Sequence, residues 1–540
     1  MMAKRPHIII FNPDEMRADA LGHLGNPAAV TPNLDAFAAG DAVSFQNAFC
    51  QNPVCVPSRC SFFTGLYPHV QGHRTMTYLL RPGESSLFGE LKRAGYHVWM
   101  NDRNDLYAGQ YPGWAEQHAD EIHYSGGGKR APGPANPEIR GERGNPYFYS
   151  HFEGQLGLDE QGKNYTADDA AVDAAIRRIG HWKEGDKPLC MFLGLFYPHT
   201  PYEVEEPYFS AIDRAKLPPR IRPEECSGKS DMMEHIRTYA DMSGMTEDGW
   251  KELRAVYLGM CSKIDDQFGR LCAALKAAGI YDDSAVFVLS DHGDFTGDYG
   301  LVEKAQNCFE DCLTRVPLLV KPPKGVAVDP GVTDSLAELV DFYATAMELA
   351  GVAPDHDQYG KSLLPVVADR TRSVRNYAFC EGGRGPGEFQ SDEYHQPDGT
   401  LSREQDVYWP KKMAQKDDAA HAKATMIRSR RYKYISRTAG RDELYDLQSD
   451  PAETTNRIDD PALEEEKRTL QLELLKWLQR TADVVPRDFD NRFTEEMLWC
   501  KVKGIVPPGC EEDVREKIRS GMGIGELFGY CFALARAKHN

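Results

Sequence analysis

Short, densely apolar runs alternate with longer amphipathic stretches over the first two-thirds of the chain, and this limits the fold more than any other feature. The runs are "HIIIF", "YHVWM", "PLCMFLGLF", "SAVFVLS" and "VPLLVK", and they read as buried strands. Between them lie "SSLFGELKRAG", "TADDAAVDAAIRRIGHW", "TEDGWKELRAVYLGMCSKIDDQFGRLCAALKAAG" and "SLAELVDFYATAMELAG", which read as helices. The first of these starts on serine and stops on glycine, the usual helix punctuation. Strand–helix alternation implies the α/β class, with a large, mostly parallel (mixed) sheet flanked by helices. In such folds ligand groups gather just beyond the carboxyl ends of the strands.

The pattern changes near residue 375. A Gly-rich segment read as a loop, "CEGGRGPGEF", is followed by short strand candidates "ATMIRS", "YKYIS" and "ELYDL" and by a helix from about Pro461 to Gln479. With 540 residues, too many for one compact core, the chain divides into an α/β domain over 1–375, a smaller antiparallel α+β subdomain over 376–483 and a C-terminal extension over 484–540. The extension is helical in part and is read as packing against the body or another subunit, so a homo-oligomer is open. Residues 125–146, rich in Gly and Pro, read as a long surface loop.

Composition narrows the partners. The formal net charge of −19 gives a field that repels nucleic acid, so any cluster of Arg or Lys near a motif carries more information. No apolar run approaches the roughly 20 residues needed to span a bilayer. "MMAKRPHIIIF" has a basic start, but its apolar run ends at Phe11, short for an export signal. The thirteen cysteines are odd in number and lie among helices and strands, which argues for free thiols. These features point to the cytoplasm.

The stretch "CVPSRCSFFTG" places Cys55 two residues ahead of Pro57. Proline suits the first turn of a helix, which puts Cys55 at a helix N-terminus, where free N–H groups favour an anion. Arg59, one turn inside, can point back at the same place. Cys55 is then a buried thiol, a nucleophile or the precursor of another group. Cys-x-Pro-Ser-Arg followed by Thr-Gly resembles the signature of the formylglycine-dependent sulfatases, in the alkaline-phosphatase-like superfamily. The resemblance implies that a maturation enzyme oxidises Cys55 to an aldehyde before folding is complete. The hydrated aldehyde carries two hydroxyls on one carbon: one attacks sulfur, and the other, once deprotonated, collapses to expel sulfate. A serine would stay sulfated.

The resemblance runs from about residue 6 to 480. "PHIIIFNPDEMRADALG" is similar to the family's first strand and acidic turn, which implies Asp14 as a metal ligand; where a second aspartate is common, this chain has Glu15. "VFVLSDHGDFTGDYGLVEK" implies Asp291 and His292 as further ligands and Lys304 as a sulfate contact. With Cys55 in its modified form, hard oxygen donors predominate, which suits Ca²⁺, with Mn²⁺ or Mg²⁺ as neighbours. "FYPHTPYEV" resembles a turn whose histidine, here His199, serves the leaving-group oxygen. The clearest departure is Asp102-Arg103-Asn104-Asp105, where many sulfatases have Gly-Lys-x-His. Arg103 can replace the lysine as a cation for sulfate; Asp105 cannot replace a histidine donor while ionised and would suit sugar hydroxyls.

These residues imply hydrolysis of a sulfate ester, with a sulfated carbohydrate as the better substrate class than an aryl sulfate. Two alternatives stand beside it. One is a phosphonate or phosphate mono- or diester hydrolase of the same superfamily, kept open by His292. The other is a non-catalytic protein that binds sulfated glycans.

Overall fold

A computed structural model of the chain describes residues 5–126, 141, 144–388, 407–483 and 492–539. Most of the 125–146 insertion therefore lies outside the described residues. The strands in chain order are β1 (His7–Pro13), β2 (Val43–Phe49), β3 (His97–Asn101), β4 (Glu121–His123), β5 (Phe152–Gln155), β6 (Leu189–Leu195), β7 (Tyr202–Val204), β8 (Ser284–Leu289), β9 (Leu318–Lys321) and β10 (Gly331–Glu338). Eight of them form one sheet in the order β10-β2-β9-β8-β1-β6-β3-β4, and β5 pairs with β7 apart from it. Strands β8, β1, β6 and β3 run parallel to one another. Strand β9 is antiparallel to both its neighbours, so the sheet is mixed.

Helices cover both faces, and the side-chain alternation of β1 shows why its run is apolar throughout. Ile8 and Ile10 join the core that contains Phe62, Phe63, Phe287 and Phe342. Ile9 and Phe11 join the opposite core with Phe37, Phe268 and Leu271. The long Glu247–Ala277 helix supplies much of this second core. The Cys55–Thr64 helix lies within the first, with all ten residues buried. It stops at Gly65, whose φ of +70° is one that L side chains rarely adopt. A Cβ there would come within 2.7 Å of the Tyr343 ring.

Beyond β10 the chain forms a second sheet of four antiparallel strands, β11 (Ala378–Gly382), β12 (Ala424–Arg428), β13 (Tyr432–Arg437) and β14 (Glu443–Asp446). The Glu464–Thr481 helix packs on it through Leu470, Leu474 and Trp477, with Trp477 stacked on Phe379 at 4.7 Å. This is the expected α/β architecture with a smaller antiparallel sheet. Two local readings change. Cys380 to Gly382, expected in a loop, end β11, where pairing with β12 overrides their glycine content. "SLAE" belongs to β10 and not to the helix, because Leu336, Ala337 and Glu338 pair with β2. The helix begins at Leu339, and Glu338 and Asp341 form a reciprocal cap at its start.

The chain separates into two compact units, 1–483 and 484–540. The second has helices at Glu495–Val502, Glu511–Arg519 and Ile524–His539, closed on a small core of Val502, Val514, Ile518, Leu527 and Cys531. Among the described residues no helix is long and apolar enough to cross a membrane. None of the thirteen cysteines forms a disulfide.

Candidate active site

Four neighbouring parallel strands each deliver a candidate residue just past the carboxyl end: Asp14 after β1, Arg103 and Asp105 after β3, His199 after β6, and Asp291 and His292 after β8. This is where an open α/β sheet places its ligands. The Cys55–Thr64 helix brings Cys55 and Arg59 to the same point. Every candidate read from the sequence thus falls in one region.

Arg59 is the hub. It is fully buried, and its Nε donates to Asp291 Oδ2 at 2.7 Å, its Nη2 to Asp14 Oδ2 at 2.8 Å and its Nη1 to the Arg103 carbonyl at 2.8 Å. Burial opposes its charge, but Asp291 and Asp14 more than compensate and hold the guanidinium above its ordinary range. Asp14 is also fully buried and is held well below the usual carboxylate range, because Arg103 and Arg59 outweigh the cost of burial. Arg103, expected to hold sulfate, donates Nη2 to Asp14 Oδ2 at 2.6 Å, with its guanidinium over the Phe196 ring at 4.5 Å.

One side of this hub is a ready set of metal donors. Asp14, Asp291 and His292 each offer an atom within 4.8 Å of the others. The His292 Nδ1–H donates to the Gly293 carbonyl at 2.9 Å, and burial lowers the ring's pKa, so Nε2 carries a lone pair. That lone pair faces Asp14 Oδ1 at 3.6 Å. Both atoms are buried and have no hydrogen-bond partner among the described residues. Two acceptors facing each other in a dry site fit a shared cation.

Glu15 has φ of 69° and turns its carboxylate to the other side of the hub. Its Oε2 lies 3.4 Å from Lys304 Nζ and 3.7 Å from His199 Nε2. Lys304 Nζ is 2.9 Å from His199 Nε2, and the His199 Nδ1–H donates to Thr200 O at 2.7 Å. The imidazole therefore accepts a hydrogen bond at Nε2 from the ammonium. Cys55, 2 % exposed, sits within 4.8 Å of carboxylate oxygens of both Asp14 and Asp105. Asp105, half-buried with φ of 50°, also comes within 3.5 Å of Arg59 Nη1.

Three participants escape sequence reasoning. The Ser58 hydroxyl donates to the Asp291 carbonyl at 2.6 Å. Glu303, fully buried, lies 3.0 Å from Lys304 Nζ. Lys411, from the short Trp409–Ala414 helix, pairs with the other oxygen of Glu303. Ser58 and Glu303 sit inside quoted motifs and could have been suspected; nothing in "WPKKMA" marks Lys411.

Comparison with known proteins identifies the family. The Sulfatase family model matches residues 6–352. The chain is 26 % identical to a multifunctional alkaline phosphatase superfamily protein of Trinickia caryophylli, over 89 % of this chain and 96 % of that protein. It is 24 % identical to an arylsulfatase of Clostridium perfringens, over 88 % of this chain and 95 % of that protein. A phosphonate monoester hydrolase from Silicibacter pomeroyi has the same fold, with a TM-score of 0.68, 22 % identity, and coverage of 88 % of this chain and 96 % of that one. The buried Cys-x-Pro-Ser-Arg helix, the strand-end carboxylates around it and the match over residues 6–352 lead to one assignment: the chain belongs to the sulfatase family of sulfuric ester hydrolases.

Proposed function

We propose that the protein hydrolyses a sulfate ester of a carbohydrate to the alcohol and inorganic sulfate, with Cys55 matured to formylglycine. The observation that carries this reading is the position of Cys55. It is the first residue of a wholly buried helix, facing Asp14, with Arg59 one turn on, anchoring both Asp14 and Asp291. An unmodified structural thiol has no need of such surroundings. In its hydrated form a formylglycine offers two hydroxyls on one carbon, which is the chemistry that lets sulfate leave again.

Asp14, Asp291 and His292 would hold a divalent cation, Ca²⁺ first, with Mn²⁺ or Mg²⁺ as alternatives. When bound, such a cation polarises a sulfate oxygen and lowers the pKa of a neighbouring hydroxyl. The protein's own residues do the rest. Arg59 fixes the two aspartates. Lys304 and His199 share a proton on the side away from the donor set and can pass it from His199 Nε2 to the departing alkoxide oxygen. A formylglycine-generating maturation enzyme is the partner this reading requires, and thiols kept out of disulfides support a cytoplasmic setting.

The second reading is hydrolysis of phosphonate or phosphate mono- or diesters. It is favoured by the imidazole of His292 in the donor set and by the likeness to the superfamily protein of Trinickia caryophylli. Protein made with a maturation enzyme, checked by the mass of its Cys55 peptide, should be assayed on 4-nitrophenyl sulfate, sugar sulfates, phenyl phosphonate esters and bis(4-nitrophenyl) phosphate. A higher kcat/KM on any sulfate ester than on every phosphorus ester supports the first reading. The reverse order establishes the second, and an unmodified Cys55 in fully active protein refutes the maturation.

A further inference from the structure

The proposed reading gives work to Arg59, His199 and Lys304 but none to Lys411, a buried cation that shares the carboxylate of Glu303 with Lys304. Lys411 has a side chain only 14 % exposed. Its short helix is held in place by aromatic contacts. Trp409 stacks on Tyr149 with ring centres 6.1 Å apart and meets Tyr239 edge-on at 5.6 Å, and Tyr408 lies against His151 at 5.1 Å. Burial lowers the Lys411 ammonium to about 8, with Glu15 and Asp294 acting against the shift. A charge at such a position is costly where an apolar side chain would pack.

Its partner explains the position. Glu303 is fully buried, and its two oxygens are divided between two ammonium groups, Lys304 at 3.0 Å and Lys411. Glu15, His199 and Glu303 have oxygens and a nitrogen close enough to bind a metal, but the two lysines already occupy that space, so the group is an ion-pair network. Were Lys304 the sole counter-charge of Glu303, its ammonium would be neutralised by that carboxylate and would have little attraction left for an anion. Glu15, 3.4 Å from Lys304 Nζ, draws on the same ammonium, so Lys304 alone would face two carboxylates and the group would be net negative; Lys411 balances it at two ammonium groups against two carboxylates.

We propose that Lys411 is a positioning residue which, by sharing Glu303, leaves the charge of Lys304 available to the sulfate group of the substrate. This rests on the sulfate-ester reading for its substrate, though the binding of sulfate itself can be judged apart from turnover. Lys411 touches neither the reacting atoms nor the metal donors; it acts through Glu303 on Lys304.

The test uses the full matured chain as wild type, Lys411→Met, Lys411→Arg, Glu303→Gln and the double variant Glu303→Gln/Lys411→Met. Two quantities are read: the affinity for inorganic sulfate by calorimetry, and kcat and KM on 4-nitrophenyl sulfate. Lys411→Met should weaken sulfate binding and raise KM about tenfold or more, with a smaller change in kcat. Lys411→Arg should recover most of the loss, because the charge returns. The double variant should also recover to within about threefold of wild type, because the carboxylate that draws on Lys304 is gone. Unchanged sulfate affinity in Lys411→Met, or a double variant no better than Lys411→Met, overturns the proposal. If Lys411→Met does not fold, Glu303→Gln decides: affinity equal to or tighter than wild type supports the coupling, and a tenfold loss refutes it. Wild-type protein that binds sulfate but turns over no sulfate ester would sink the functional reading while leaving these binding comparisons valid.

Discussion

Replacing Asp291 by Asn separates the ion-pair role of this residue from its role toward a metal. In the native site Asp291 Oδ2 accepts from Arg59 Nε at 2.7 Å, while Oδ1 accepts from the backbone N–H groups of Glu15 at 3.2 Å and His292 at 3.1 Å. An asparagine that keeps its oxygen on the two backbone donors turns its NH₂ toward the guanidinium, donor against donor. The lost charged hydrogen bond is worth about 1.5–3 kcal/mol. Flipping the amide restores Arg59 but strands two buried N–H groups, at about 1–3 kcal/mol each. The variant takes the less costly arrangement and should lose about 1.5–3 kcal/mol, roughly 10- to 150-fold in the unfolding equilibrium. Arg59 keeps Asp14, so complete collapse is not expected. Urea unfolding in chelator measures this part alone. Titration with Ca²⁺ and Mn²⁺ measures the other, where affinity should fall by more than the 10- to 100-fold typical of losing a group that only supports a ligand. A variant that unfolds at the wild-type midpoint in chelator and binds metal with wild-type affinity would refute both assignments.

Cys55→Ser and Cys55→Ala should each abolish multiple turnover while the circular dichroism spectrum stays native; wild-type kcat in Cys55→Ala would end the aldehyde mechanism. Asp105→Asn should reduce kcat/KM on 4-nitrophenyl sulfate and on sugar sulfates alike, by about tenfold, because its carboxylate faces Arg59 and Cys55; a loss confined to sugar sulfates would return Asp105 to substrate recognition. His356 gives a pH prediction away from the active site. Burial alone would lower its pKa, but Glu90 at 3.2 Å, the Thr64 carbonyl at 2.6 Å and Asp355 at 3.1 Å raise it to about 9. Because the folded pKa lies above the unfolded value of about 6.5, the stabilisation is complete below pH 6.5 and is lost as pH rises to 9. Stability should drop by up to about 3 kcal/mol across that window, and His356→Gln should flatten the slope; an identical slope in the variant would exclude His356 as its source.

The strands that carry the site were legible because burial on both faces leaves them apolar throughout, as in "HIIIF" and "PLCMFLGLF". Strand β2 was not, since "VSFQNAF" mixes polar residues into a strand whose center is only partly buried. Strand β10 ran straight into a helix, so its last residues took on the helix's pattern. Among site residues, those tied to a strand end or to the Cys55 helix could be placed from short motifs. The direction of Glu15 could not, because it depends on a left-handed backbone conformation that a glutamate does not advertise. Lys411 reaches the pocket only through tertiary packing of a six-residue helix against aromatic side chains from distant segments.

Under the proposed maturation of Cys55, the complete burial of the Cys55–Thr64 helix sets a time limit on that modification. Its outer covering includes the Leu339–Ala350 helix and the strand end at Asp291, both made long after Cys55 leaves the ribosome. At synthesis rates of roughly 5–20 residues per second, the stretch from 55 to 291 takes about 10–50 seconds. During that interval the thiol is still open to another protein; afterwards, at 2 % exposure, it is not. On the proposed mechanism, a chain that folds with its cysteine intact is a finished but inert molecule, and the active fraction of a preparation becomes a record of which process, modification or folding, was faster.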